Sequence, residues 1–421
     1  MDFEQPDRYG NRRAYQRAGP SQVPDRSNKV CFHWQAGRCS RHPCPFLHSD
    51  PPQTVLADGA AKRGHLHGHV SRNPASAGAP PSKWGKGRAG GKAPDKICNY
   101  FLAGNCSFGD RCRFLHSWFM SDSFSLLTQL QGHQKVVTGI ALPSGSDKLY
   151  SCSKDESVRV WDTQTGKCVG AINMGGEVGC MISEGPWLFI GVANAVKAWN
   201  TQTTTEQSLD GPVGQVYALT VGNGMLFAGT QDARILVWKF SAAGNVFEPA
   251  TSLSDHRHAV VSLVAGAMKL YSASPILQVW DLATFQCLQT LSGHTSVVMS
   301  VLCWDKFLLS SSLDNTIKVW VLTDAGNLEV AYTHEEEHVP TCALGVLALC
   351  GMLDAEAKPV ILCSCNDNSI RVYDLPSFGE RGRIFSKQEM RAIQVGPGGL
   401  FFTGDGTGEL KVWQWSSKQN N

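Results

Sequence analysis

From residue 119 onward, short runs of β-branched and aromatic residues alternate with clusters of Gly, Asp, Asn and Ser. Apolar runs bounded by turn formers read as strands, and many of them in succession predict a mainly β region, here residues 119–417. The chain before it has another texture. Residues 1–28 are polar, rich in Arg, Asp, Gln and Pro, and are expected to be disordered. Residues 51–94 carry eight Gly, six Pro and only four Val and Leu. Such a segment cannot bury enough apolar surface to offset its chain entropy, so it reads as a flexible basic linker. Two cysteine-bearing islands, 29–50 and 95–118, stand on either side of it.

The strand-rich region repeats. The phrases VRVWDT, VKAWNT, ILVWKF, LQVWDL, IKVWVL, IRVYDL and LKVWQW place aromatics at 161, 199, 238, 280, 320, 373 and 413, in steps of 38, 39, 42, 40, 53 and 40 residues. Most steps lie close to the period of about 40–45 residues of a four-stranded propeller blade. Several units open on Leu-x-Gly-His or a relative of it, ending at His133, His256 and His294, and an Asp six residues before the aromatic recurs at Asp155, Asp232, Asp314 and Asp367. These phrases resemble WD-repeat β-propellers. The resemblance implies a buried hydrogen-bond chain of His, turn Asp, strand hydroxyl and indole. In the first unit it maps to His133, Asp155, Ser151 or Ser153, and Trp161. In the fifth it maps to His294, Asp314, Ser310 or Ser312, and Trp320. Seven blades are expected. The second unit lacks both His and Asp, the fourth has Pro275 and Ile276 near its turn, and the seventh has Thr407 where Asp is expected. Residues 123–130 should close the ring beside the strand holding Trp413, removing an open sheet edge. The extra length of the sixth step, including 333–338 and 351–359, is expected in loops.

The two islands carry the candidate chemistry. Cys31, Cys39, Cys44 and His48 follow C-x7-C-x4-C-x3-H, and Cys98, Cys106, Cys112 and His116 follow C-x7-C-x5-C-x3-H. Three thiolates and an imidazole are one of the closed tetrahedral sets of Zn²⁺. Segments this short cannot bury a core, so a metal is the physical route to a fold. Two Zn²⁺ ions are therefore expected.

Charge sharpens the contrast. Residues 1–118 hold 18 Lys and Arg against 8 Asp and Glu, a net of +10, whereas the remainder carries −8. A basic arm on an acidic body suggests that the arm meets a polyanion. The beginning of the sequence lacks the apolar run of a signal peptide, and no stretch offers about 18 apolar residues, so no membrane segment is expected. Fifteen cysteines, nine of them scattered without pair spacing, fit a reducing compartment, cytosol or nucleus.

The islands resemble CCCH zinc fingers, in which aromatics between the ligands stack on single-stranded bases. Carried over on that resemblance, Phe108 and Phe114 match the stacking positions of the second finger, and Arg111 and Arg113 flank its third Cys. In the first finger Phe46 matches one stacking position, Arg41 or His42 takes the other, and Arg38 and Arg41 keep it basic. Tyr100 and Phe101 are further candidates, one of them for packing on the metal site. Two such fingers before a propeller are similar to the plant CCCH zinc finger and WD-repeat family, a likeness that spans nearly the whole chain. It implies nucleic-acid binding and a nuclear setting; the cytoplasm is kept as a second expected compartment.

No G-x-S-x-G, P-loop or H-E-x-x-H stands out, so no enzyme and no small-molecule substrate are expected. The reading is an RNA-binding adaptor: the fingers hold single-stranded RNA and the propeller recruits a protein complex. The alternatives are a DNA-binding regulator and a ubiquitin-ligase substrate receptor with protein-binding fingers. For the latter, the segments after Trp161 and Trp280 lack the Arg of a Trp-Asp-x-Arg motif.

Overall fold

The computed structural model describes residues 27–30, 46–47, 96–335 and 345–416. The chain divides into two compact units, 1–87 and 88–421. In the first, β1 (Ser27–Val30) pairs in parallel with β2 (Phe46–Leu47), with Val30 opposite Leu47. The first-finger ligands Cys31, Cys39, Cys44 and His48, with Arg38, Arg41 and the side chain of Phe46, lie outside the described residues. So do residues 1–26, the linker 51–94 and residue 417.

The second unit is a β-propeller. It opens with β3 (Phe119–Met120) and β4 (Phe124–Leu130), which serve sheets formed much later in the chain. The first sheet is β5 (Val137–Ala141), β6 (Lys148–Ser153), β7 (Ser157–Asp162) and β8 (Cys168–Asn173). A six-stranded sheet follows, made of β9 (Cys180–Glu184), β10 (Trp187–Asn200), β11 (Glu206–Gly222), β12 (Met225–Thr230), β13 (Ile235–Ser241) and β14 (Val246–Leu253). The next is β15 (Ser262–Gly266), β16 (Lys269–Ala273), β17 (Leu277–Asp281) and β18 (Cys287–Leu291). Then come β19 (Val298–Trp304), β20 (Phe307–Ser312), β21 (Thr316–Leu322) and β22 (Leu328–Glu335). β23 (Val346–Leu353), β24 (Pro359–Cys365), β25 (Ser369–Asp374) and β26 (Gly379–Phe385) take β3 as a fifth strand. β27 (Met390–Val395), β28 (Leu400–Asp405) and β29 (Leu410–Trp415) take β4.

The expected seven separate blades are corrected to six sheets. The difference lies in the second and third repeat units. The second reduces the turn between its middle strands to Ala193 and Asn194, with Asn194 at φ 65°, so β10 runs on for 14 residues. β11 then runs unbroken for 17 residues, pairing with β10 at Glu206–Asp210 and with β12 from Val216 onward. The missing turn and the uninterrupted strand fuse two units into one sheet. The innermost strands still follow each other round the ring as β5, β9, β11, β15, β19, β23 and β27, and back to β5. The sixth unit also differs from expectation: 333–335 end β22 and 351–353 end β23, so part of the extra length is strand rather than loop.

Closure is made by β4, whose Leu130 and Phe124 oppose Leu410 and Trp415 of β29. The core lies between sheets, on the repeat aromatics Trp161, Trp238, Trp280, Trp320 and Trp413, all buried. In the first sheet Trp161 Nε1 donates to Ser151 Oγ at 2.8 Å, and Ser151 meets His133 Nε2 at 2.8 Å. A carboxylate only accepts, so His133 Nδ1 carries the proton it shares with Asp155 at 3.0 Å. The fifth unit repeats this with Trp320, Ser310, His294 and Asp314 at 2.8, 2.7 and 2.9 Å. The fourth keeps Trp280, Ser272 and His256 but replaces Asp with the Ser274 hydroxyl, 2.9 Å from His256 Nδ1. In the seventh, Trp413 Nε1 donates to Thr403 Oγ1 at 3.0 Å, and the turn carboxylate is Asp405, to which Thr407 donates.

Asp314 also accepts from the backbone N–H groups of Thr295 and Thr316. Asp314→Ala leaves those donors and His294 without their acceptor, and should destabilise the propeller by about 1–3 kcal/mol in denaturant unfolding. The imidazoles add a pH dependence. Burial lowers His256 to about 4, against the weaker opposing pull of Asp255. The unfolded chain therefore takes up a proton near pH 6.5 that the folded one refuses until about 4. Stability is full above pH 6.5 and should fall by about 1–3 kcal/mol as the pH drops towards 4. Unfolding midpoints measured across that window should fall less steeply for His256→Gln.

Candidate metal centre and nucleic-acid interface

The second island folds around its ligands by backbone turns. Cys98 is extended and leads into a single helical turn, α1 (Asn99–Leu102), with Leu102 N–H returning to Cys98 O at 3.0 Å. Gly104, at φ 74°, ends the turn in a conformation that side chains disfavour. A 3-10 turn over Gly109–Arg111 then brings Cys112 N–H onto Gly109 O at 3.0 Å. The two ends meet where Ile97 bridges Leu115 in parallel, with Cys98 N–H on Leu115 O at 3.0 Å and Leu115 N–H on Lys96 O at 2.9 Å.

These turns gather Cys98, Cys106, Cys112 and His116 so that their ligand atoms all lie within 4.8 Å of one another. The Cys98 and Cys112 sulfurs are 3.7 Å apart. A tetrahedron with Zn–S bonds of about 2.3 Å has an edge of about 3.8 Å, so the donor set fits Zn²⁺. His116 Nε2 is buried without a hydrogen-bond partner, as a nitrogen reserved for a metal would be. Burial pushes the Cys98 thiol up, but the Phe101 backbone and the neighbouring His116, Cys112 and Cys106 outweigh it and hold the thiol at about 7. Cys98 is thus primed as the thiolate that metal binding requires, whereas Cys106 is held above its ordinary value: the Phe108 backbone lowers it, but burial and the neighbouring Cys98 and Cys112 sulfurs outweigh that, as expected for thiols crowded together without a cation between them. Bound there, the ion would be structural, with four protein ligands and no open position.

The aromatic residues around the cluster divide by role. Phe101 stacks on the His116 ring, with centroids 5.1 Å apart and planes at 17°. Tyr100, Phe108 and Phe114 point outward, 63%, 61% and 50% exposed. Arg111 and Arg113 are exposed on either side of Cys112. Exposed aromatics cost hydration unless something covers them, and here they flank basic side chains, an arrangement suited to unstacked bases and phosphate. His133, Trp161 and Trp320 are buried in the propeller, and the half-buried Asp155, His294 and Asp314 turn their side chains inward to them, so none of the six takes part in this surface.

Trp118 and Lys411 were not apparent from the sequence. Trp118 lies against Phe101 with centroids 5.3 Å apart, and Lys411 Nζ sits 4.6 Å from the Trp118 ring centre. The one local signal was a tryptophan two residues beyond the last ligand.

Comparison with known proteins agrees with this anatomy. The profile of the CCCH-type zinc finger matches residues 96–117, and that of the WD domain, G-beta repeat, matches 124–162 and 285–321. The chain is 62% identical to zinc finger CCCH domain-containing protein 17 of Oryza sativa subsp. japonica, over 99% of this chain and 98% of that protein. It is 56% identical to protein 48 of the same designation from Arabidopsis thaliana, over 97% of each, and 54% identical to protein 63, over 99% of each. A Cys₃His centre followed by a propeller, with likeness of this extent, places the chain in the plant family of CCCH zinc-finger proteins that carry WD repeats.

Proposed function

We propose that the protein is a non-enzymatic nucleic-acid-binding adaptor, whose fingers hold single-stranded RNA while its propeller gathers protein partners. The observation that carries this reading is the pair of exposed aromatics, Phe108 and Phe114, set between ligands of one Cys₃His centre beside Arg111 and Arg113. A single-stranded target suits the geometry better than a duplex. α1 has four residues, far short of the helix that a major-groove reader presents. Single-stranded bases can stack on the rings and bond through their edges.

Two ions per chain are part of the proposal. The pairing of Val30 with Leu47 repeats that of Ile97 with Leu115, in both cases the residues just before the first Cys and the last His. The recurring parallel contact supports a second Cys₃His finger at Cys31, Cys39, Cys44 and His48. A nuclear site of action, with the cytoplasm second, belongs to the same reading. Among the described residues, no helix is long and apolar enough to cross a membrane. The blade loops are the natural places for protein partners, since the repeating His and Asp groups are consumed by the interior.

Phe114→Ala should weaken binding of single-stranded RNA by about 1–3 kcal/mol, with the zinc content unchanged. Full affinity in that variant would sink the stacking model. Competition with single-stranded DNA and duplex at several salt concentrations separates RNA from the DNA reading. Metal analysis of the whole protein should give two zinc ions, with one lost in Cys39→Ser and one in Cys106→Ser. Crosslinking in cells, followed by sequencing of the attached RNA, would supply the motif, and an absence of RNA above background would make the fingers protein-binding modules.

A further inference from the structure

The second finger is joined to the propeller by more than a tether. Only Ser117 and Trp118 separate the last ligand from β3. β3 adds to the outside of β26, with Phe119 opposite Ile384 and Met120 opposite Arg383, and Trp118 O accepts from Phe385 N–H at 2.8 Å. Gly382 makes room for this strand, because a Cβ there would lie 2.7 Å from Met120 O. Three residues after β3, the chain enters β4 and closes the ring on β29. Metal ligand, added strand and closing strand therefore follow one another between His116 and Leu130.

The side chains continue that connection. His116 stacks on Phe101, Phe101 leans on Trp118, and the Trp118 ring faces the ammonium of Lys411. Lys411 is 1% exposed and belongs to β29, the strand that β4 seals. Its Nζ is 2.8 Å from Glu409 and 3.8 Å from Asp405. A buried ammonium is costly wherever a side of it lacks a partner, and here the indole face covers the side that the carboxylates leave. Trp118 itself packs against the cluster that contains Phe124, Trp413 and Trp415.

We propose that Trp118 is a positioning residue which couples the metal state of the second finger to the closure of the propeller. The proposal rests on the zinc reading of Cys98, Cys106, Cys112 and His116. Zinc fixes the His116 ring, the ring fixes Phe101, and Phe101 holds Trp118 over Lys411 at the seam. Linkage makes the effect reciprocal: if zinc steadies the seam, the closed seam raises the affinity for zinc by the same factor.

The test uses the whole protein, its zinc content and the thermal unfolding of the propeller. Cys106→Ser should lose one zinc and lower the propeller's melting temperature by about 2–5 °C. Cys39→Ser should lose one zinc and leave it unchanged. Trp118→Ala should weaken zinc retention at the second finger at least about fivefold in competition with a chelator, and Trp118→Phe should restore most of it. In a Trp118→Ala background, Cys106→Ser should lower the melting temperature no further. An unchanged melting temperature in a Cys106→Ser protein that has lost its zinc would overturn the coupling. Full additivity of the two substitutions would overturn it too. Retention of both zinc ions by Cys106→Ser would instead sink the metal assignment, and this proposal with it.

Discussion

A ring of sheets has one seam, and the stability of the whole depends on how that seam is sealed. Each sheet buries its faces against its neighbours, so an unsealed ring would expose a row of unpaired backbone groups and a strip of core. This chain seals the seam with a strand from near the beginning of the β region. β4 lies on β29 through Trp415, Trp413 and Leu410, and Phe124 enters the same cluster as Phe401 and Trp413. The closing strand joins residues nearly 300 positions apart in sequence, a loop closure whose entropy is recovered only when the ring is complete. The finger precedes that strand with only β3 and a short turn between them, which is why a small metal site is placed to matter to a large β domain.

Within the ring, the units solve one problem in different ways. A tryptophan large enough to fill the gap between sheets brings an indole N–H into the interior, and that donor must be met. Ser151, Ser272, Ser310 and Thr403 meet it. Behind the first and third of these stands the full chain of His and Asp. Behind Ser272 the Asp has become Ser274, and His256 has no carboxylate hydrogen-bonded to it, which leaves burial to drive its ring neutral. The fused sheet of β9 to β14 joins the unit that has neither His nor Asp to the next one, which keeps Asp232.

What the sequence made legible was local and periodic. The aromatic period marked the units, Leu-x-Gly-His marked their entrances, and the spacing of Cys98, Cys106, Cys112 and His116 marked a metal set. The sheet count was not legible, because it depends on whether a turn interrupts hydrogen bonding, and here Asn194 alone, at φ 65° inside β10, stands where the other units carry a cluster of turn residues. Lys411 was hidden for another reason. Between Leu410 and Val412 it reads as the outward residue of an alternating strand, yet Trp118 covers it from a part of the chain far away in sequence. Tyr100 and Phe101 are neighbours on one helical turn, and only the folded geometry tells which of them faces His116.

The short joint between His116 and β3 has a consequence for direction. Both residues of the joint are tied down: Ser117 Oγ accepts from Phe119 N–H, Trp118 O accepts from Phe385 N–H, and the Trp118 ring leans on Phe101. Nucleic acid has a 5′ and a 3′ end, and a strand that the finger bound in one polarity would cross the propeller edge at β3 in one sense only. A protein docked on the propeller would then always meet the same flank of the bound site. The fold would thus give the assembly a fixed upstream and downstream, much as a ratchet's pawl gives a wheel its one way round.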